Sequence, residues 1–284
     1  MSSSWSGRRL LASDMLVSAL WRYPVKSLRG ESLRRAQVEP WGITGDRRWM
    51  LVDGSGETLW AGQHRQLGTV AAVLTESGGL RLSAADRPDL HVAEPVDGEA
   101  VEVRLRGVNR ALAAGEPVDT WLSETLGLDA RLVWLDDPTR RSMSERHGGR
   151  PGDVLSLADA APLLLTAVPS LRQLDAWIAE DSGASEPLAM ERFRPNLVVD
   201  GPVTAFAEDG WRDLHVGDVR FRFAEHCDRC VVTTTDPGTG RPGKEPIRTL
   251  AKRRRWNGHV WFGIRIVPVT SGTIAVGDPV RVGA

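Results

Sequence analysis

His226-Cys227-Asp228-Arg229-Cys230, followed by Val231-Val232-Thr233-Thr234-Thr235-Asp236-Pro237-Gly238-Thr239-Gly240, holds both cysteines of a 284-residue chain. A redox Cys-x-x-Cys lies beside a βαβ unit and opens a helix, whereas β-branched residues and an Asp-Pro-Gly turn follow this one. Residues 230–235 therefore read as a strand. The same pattern of short, turn-bounded apolar runs recurs at residues 197–199, 218–223, 260–268 and 272–280. So many short strands remove their edges best by closing into a barrel, complete or nearly so.

Upstream, residues 16–21, 49–52 and 69–74 are again strand-length apolar runs broken by Gly and Asp. Two segments depart from that rhythm: residues 119–126 place apolar side chains at helical spacing behind an acidic cap, and residues 169–179 read as a second helix. Between the two β-rich stretches, residues 136–152 are polar, charged and Gly/Pro-bearing, which suits an exposed linker or a loop over an active site. The expected organisation is mainly β (α+β), with lobes at residues 14–134 and 135–284 and a few helices.

With 36 Lys+Arg against 37 Asp+Glu the chain has no global field to draw it onto nucleic acid. No apolar run approaches the roughly 18 to 20 residues of a membrane helix, so no membrane partner is expected. The first thirteen residues are rich in Ser and Arg without an acid, somewhat like a transit segment; a frayed tail is the expectation. A secretory signal pattern is lacking, which points to the cytoplasm and to reduced thiols. Only Lys26, Lys244 and Lys252 are lysines, and Lys26 follows the sole tyrosine, Tyr23, by three residues. A lysine kept in an arginine-using chain suits a site that fits a compact ammonium.

Thiolate is the form of cysteine that binds soft metals, and Arg229 beside Cys230 is expected to favour it. A zinc site would have to add His226 and His215 or His259 to the cysteine pair. Redox pair, zinc site and two inert buried thiols all remain open on the local residues. Residues 238–244 match the first part of a phosphate-binding loop, yet Glu245 stands where Ser or Thr should reach magnesium, so a tight turn is the better reading.

Taken together, several motifs resemble the MOSC-domain proteins related to the mitochondrial amidoxime reducing component. Cys230 to Gly240, then Lys244-Glu245-Pro246, is similar to their cysteine motif. Leu20 to Ser27 and Gly45 to Trp49 resemble the amino-terminal MOSC extension, and Phe193-Arg194-Pro195-Asn196 and Ile274 to Val280 resemble the MOSC domain proper. The resemblance covers nearly the whole chain and implies a MOSC β-barrel packed with a β-rich N-terminal extension. It implies a molybdenum cofactor, with Cys230 the catalytic cysteine and protein ligand to the metal. Lys26, Ser27, Arg47, Arg194, Asn196, Asp228 and Arg229 would hold the pterin and its phosphate, with Arg265 a looser candidate. Cys227 lies outside the match.

The implied activity is reduction of small N-hydroxylated substrates such as amidoximes, hydroxamic acids and N-hydroxylated bases. Electrons would come from a separate ferredoxin, flavoprotein or cytochrome b5-like protein, since no ferredoxin-like extension follows residue 284. The other activity read from the motif is sulfur carriage or cofactor delivery through a Cys230 persulfide. Two departures bear on cofactor affinity: Ala160 and Ala161 replace hydroxyl residues, and Asp228 brings a negative charge close to the expected phosphate unless it turns toward Arg229. The basic run from Lys252 to Arg255 reads as a solvated helix end or a docking patch for an acidic redox partner. Trp256 and Trp261 are core or cofactor-wall residues.

Overall fold

The computed structural model describes residues 15–183 and 186–283; the Ser/Arg-rich tail lies outside them. Among the described residues about 37% are strand and 21% helix, with three α-helices. Seven strands form the barrel: β1 (Leu16–Arg22), β2 (Leu163–Ala167), β3 (Leu197–Asp200), β4 (Asp213–Val216), β5 (Val219–Asp228), β6 (His259–Pro268) and β7 (Val280–Val282). Their order around the sheet is β7-β4-β5-β6-β2-β3-β1. Closure comes from the start of β1, where Val17 N donates to Asp278 O at 3.0 Å and Val280 N to Met15 O at 2.8 Å. The expected barrel is present, and the first strand of the chain completes it.

Alternation decides what fills the barrel. On β4 and β5 the inward positions are Leu214, Val216, Val219 and Phe221, all buried, while Asp213, His215 and Arg220 face outward. Only β2 and β3 pair in parallel, which requires a crossover, and α2 (Val168–Ser182) supplies it. Pro169 opens α2 where its missing N–H is harmless, and Gly183 closes it in the left-handed region at φ 67°. Its inner face packs Leu174 and Ile178 against Phe193, Phe262 and Leu250 of α3 (Ile247–Arg253).

The other lobe is a four-stranded sheet (Trp49–Val52, Arg131–Trp134, Val108–Ala113, Ala100–Leu105) beside a three-stranded one (Ala71–Leu74, Leu80–Ser83, Leu90–Val92). The first helix, α1 (Glu116–Leu126), buries Val118, Leu122 and Leu126 in their shared core. Between β1 and Trp49 the chain loops through the seam of the lobes, and Lys26 N donates to Trp49 O at 2.8 Å.

Two local expectations change and a third is qualified. Residues 230–235 form a 3-10 turn, Val231–Thr234, instead of a strand. Its threonines explain this: Thr233 Oγ1 donates to Cys230 O at 2.9 Å and Thr234 Oγ1 to Val231 O at 2.7 Å, so the hydroxyls satisfy the carbonyls a ladder would have used. Residues 136–152 are mostly exposed or half-buried, as expected, but are anchored at Pro138, Arg141 and Met143, which are buried. Met143 is in a core cluster, and buried Arg141 donates to Ala158 O at 2.7 Å and Arg106 O at 3.1 Å. Burial lowers the Arg141 guanidinium to about 10. Residues 272–280 are split by a turn into Gly272–Ala275 and the start of β7.

Glu208, fully buried beneath α2, accepts from Ser170 Oγ at 2.8 Å, while its second oxygen has no partner. Burial pushes its carboxyl up to about 7. An unfolded chain titrates this group near 4.3, so it binds fewer protons than the native state as pH rises from there to about 7, and stability falls across that window. Glu208→Gln is expected to flatten the pH 5 to pH 8 decline in unfolding free energy by up to ~3 kcal/mol, as denaturant titrations at the two pH values would read.

Candidate active site

Eight chain segments meet in one cavity of about 460 Å³ at the mouth of the barrel. Lys26, Ser27, Arg47, Arg194, Asn196, Asp228, Arg229, Cys230 and Arg265 all line it, so every candidate residue stands on one wall or another. Three of them have left-handed backbones: Ser27 at φ 70°, Arg47 at φ 49° and Arg194 at φ 56°. For a residue with a Cβ this conformation costs roughly 1–2 kcal/mol, and such strain clusters where a side chain must be aimed. Here three segments are each bent to turn a polar side chain inward.

Tyr23 stands behind this wall, with the Arg47 and Arg194 guanidiniums 4.9 and 4.2 Å from its ring centroid. Gly30 makes this possible, because a Cβ there would sit 2.5 Å from Tyr23 Cδ1. Burial raises the Tyr23 hydroxyl well above its ordinary range, and that hydroxyl has no partner. Asn196 is fully buried, and its carboxamide oxygen accepts from Arg47 Nη1 at 2.9 Å and Leu164 N at 3.2 Å while Nδ2 donates to Trp21 O at 3.2 Å. Its contribution is to aim Arg47.

The charges divide unequally. Arg47 is held by Asp46, Lys26 by Asp159, Arg192 by Asp236 at 2.9 Å, and Arg265 by Glu225 at 2.6 Å and Asp228 at 2.8 Å. The Lys26 ammonium holds the Asp159 carboxyl well below the usual range. Burial works against the charge on Arg265, but Cys227, Glu225 and Asp228 outweigh it and raise its pKa. Among the described residues Arg194 and Arg229 form no ion pair with a carboxylate. Arg194 donates to Leu28 O at 2.7 Å, and burial, reinforced by Arg47, lowers it to about 10. Arg229 donates to Phe193 O at 2.7 Å, and its Nε is buried without a partner.

Around the cysteines the structure shows which partners the charged side chains take. Arg229 Nη1 donates to the buried Cys227 sulfur at 2.8 Å, so its hydrogen bond supports Cys227 and not the neighbouring Cys230. Asp228 turns to Arg265, not to Arg229. Cys230 is exposed at the rim, on the extended residue that precedes the threonine turn, with Trp60 across the same cavity. Among the described residues no group of three or more His, Cys, Asp or Glu side chains could hold a metal, which removes the zinc reading. His226 packs against Phe223, Trp256 and Trp261 outside the cavity wall.

Other features resolve as structure. Asp236 Oδ1 accepts from Gly238 N at 3.1 Å and Thr239 N at 2.8 Å, the tight turn expected of the phosphate-loop lookalike. Glu245 accepts from Thr249 N at 3.1 Å and tethers the start of α3. Lys252 and Arg253 end α3 paired with Asp181 and Glu180 of α2, which favours the helix-end reading over a docking patch. Sequence reasoning missed Arg192, which lies in the short 3-10 turn Met190–Phe193 two residues before Arg194 and lines the cavity. Its period-two spacing from Arg194 was the available signal.

A phosphate-bearing, soft-metal cofactor calls for buried cations without internal counter-ions, spare donors and an accessible thiol. Arg194, Arg229 with its free Nε, and exposed Cys230 meet that requirement, so the residues fit a molybdenum cofactor.

Residues 14–129 match the MOSC N-terminal beta barrel domain, and residues 147–281 match the MOSC domain. The chain is 31% identical over 292 residues to mitochondrial amidoxime-reducing component 1 of Homo sapiens, covering 96% of this chain and 84% of the human protein. It is 31% identical to mitochondrial amidoxime reducing component 2 of Rattus norvegicus, with 96% and 85% covered. The molybdenum cofactor sulfurase of Oryza sativa subsp. japonica is 29% identical over 89% of this chain, which spans 32% of that longer protein. Barrel, cavity and these matches together place the chain in the family of MOSC-domain proteins to which the mitochondrial amidoxime-reducing components belong.

Proposed function

We propose that this protein is a molybdenum-cofactor-dependent reductase of N-hydroxylated compounds that draws its electrons from a separate redox protein. One observation carries the reading: two half-buried guanidiniums, Arg194 and Arg229, that pair with no carboxylate among the described residues share a cavity with an exposed thiol. The cofactor, when bound, supplies the two-electron chemistry that breaks the N–O bond. Cys230 would ligate its metal. Arg194, Arg229 and Lys26 would hold its phosphate, with Lys26 exchanging Asp159 for the incoming anion. Phe193 and Trp60 narrow the water-accessible volume, and Asn196 keeps Arg47 in place.

The test is metal and pterin analysis of protein from a cofactor-competent host, followed by anaerobic reduction of benzamidoxime with reduced methyl viologen. Stoichiometric molybdenum with amidine formation is the expected result. A folded protein with a full complement of cofactor and no amidine would end the proposal. The sulfur-carrier reading is favoured by the exposure of Cys230 alone. It predicts an added sulfur on that thiol by mass spectrometry and no amidine.

Asp228 modulates affinity in this scheme. It neutralises Arg265 inside the cavity and adds a negative charge near the phosphate. Asp228→Asn is expected to slow cofactor loss about three- to tenfold during dialysis, because the partly exposed carboxylate contributes on the order of 1 kcal/mol. Faster loss than in the parent protein would contradict this role.

A further inference from the structure

A second cavity of about 440 Å³ opens beside the first and shares Ser27, Ala61, Arg192, Arg194 and Val232 with it. Trp21, Tyr23 and Pro237 make its apolar face. Four arginines line it, Arg29, Arg65, Arg192 and Arg194, against two acids, Glu191 and Asp236, an excess of two positive charges (four minus two). Arg192 and Asp236 cancel as a pair. Arg29 and Arg65 are exposed, and neither side chain makes a hydrogen bond or ion pair among the described residues. In the wall below them, the Tyr23 hydroxyl and Arg192 Nε are both buried without partners.

We propose that this second cavity receives an anionic group, a carboxylate or a phosphate monoester, carried by the substrate whose N-hydroxylated end is reduced beside Cys230. The proposal rests on the reductase reading above. An apolar face flanked by two unpaired guanidiniums suits a planar body with an acid at its far end, because each guanidinium can offer paired N–H donors to one anion. With Arg194 assigned to the cofactor phosphate and Arg192 cancelled by Asp236, Arg29 and Arg65 against Glu191 still leave the cavity positive. The shared wall gives continuity between the two chambers, so one ligand can reach from Arg29 and Arg65 to the first cavity.

The experiment compares three probes on the cofactor-loaded protein: benzamidoxime, its 4-carboxy derivative and its 4-phosphonooxy derivative. Expected is a kcat/KM about tenfold higher for at least one anionic probe than for the neutral one at low salt, shrinking as salt screens the arginines. In the Arg29→Gln/Arg65→Gln protein the ratio of anionic to neutral kcat/KM is expected to fall to about one. The better of the two acids identifies the natural end group. Equal treatment of all three probes by the parent protein overturns the proposal. So does loss of molybdenum or pterin from the double variant, which would make the second cavity part of the cofactor site.

A readout that needs no turnover keeps the two readings apart. Calorimetry with 4-carboxybenzamidine and 4-phosphonooxybenzamidine measures seating of the anion directly. If no probe, neutral or charged, is reduced, the reductase reading fails. Binding of either amidine that is lost in the double variant then still supports the cavity, and absence of binding in the parent protein overturns it.

Discussion

Cys230→Ser is expected to give a folded, monodisperse protein that reduces amidoximes at least about a thousandfold more slowly and retains little molybdenum. The fold should survive because Cys230 is exposed, makes no side-chain hydrogen bond and belongs to no core cluster. Substitutions at such positions shift stability by roughly 0.5 kcal/mol or less. The thiolate is a soft donor that serine cannot imitate, since its hydroxyl stays protonated and is a harder ligand. Loss of a group that only hydrogen-bonds a metal ligand already lowers metal affinity by about 10- to 100-fold, and loss of the ligand itself should exceed that. Cys227→Ser provides the contrast. Cys227 is buried and accepts from Arg229 Nη1, so its loss should loosen Arg229 while leaving the metal in place. Metal analysis, circular dichroism and the benzamidoxime assay on both variants decide the matter; full activity in Cys230→Ser would remove the proposed mechanism.

The parts of this protein that could be read from its residues were those fixed by periodicity or by contiguous motifs. The unbroken apolar run at residues 49–52 placed a strand correctly because both of its faces are buried, and the helix read at residues 169–179 is present as Val168–Ser182, opened by Pro169. The barrel was inferred from the number of short strands, but its closing strand was not, because the partners of β1 are nearly 180 and 260 residues away. The threonine turn after Cys230 was misread because β-branched residues favour strands unless their hydroxyls find local carbonyls, and that competition is invisible without coordinates. At the site, the residues named from motifs all reached one cavity, yet the electrostatic pattern that gives them meaning was hidden. Asp159 against Lys26 and Asp236 against Arg192 are contacts across 133 and 44 residues. Only when those pairs are drawn does it emerge that Arg194 and Arg229 are the cations left over.

Arg194→Met tests that remainder, and its two expected effects point in different directions. In the cofactor-free protein the substitution removes a hydrogen bond to Leu28 O and a guanidinium 4.2 Å from the Tyr23 ring, contacts worth about 1 kcal/mol each at most. Against this it removes a charge that pairs with no carboxylate among the described residues and sits beside Arg47; burial lowers this Arg194 guanidinium to about 10. The two nearly offset, and a thioether of similar length keeps the space beside Tyr23 filled. Unfolding free energy without cofactor should therefore change by less than about 1 kcal/mol. With cofactor the balance is different, because a buried phosphate dianion loses one of the two guanidiniums not already spoken for. Truncating one side of a buried hydrogen-bonded charge pair costs about 2–5 kcal/mol, so affinity should fall by roughly 30- to several-thousandfold. Thermal unfolding should then separate parent from variant only in cofactor-loaded samples, where the bound ligand adds stability in proportion to its occupancy. Equal melting temperatures for loaded parent and loaded variant, with equal pterin content, would show that Arg194 is not an anchor for the phosphate.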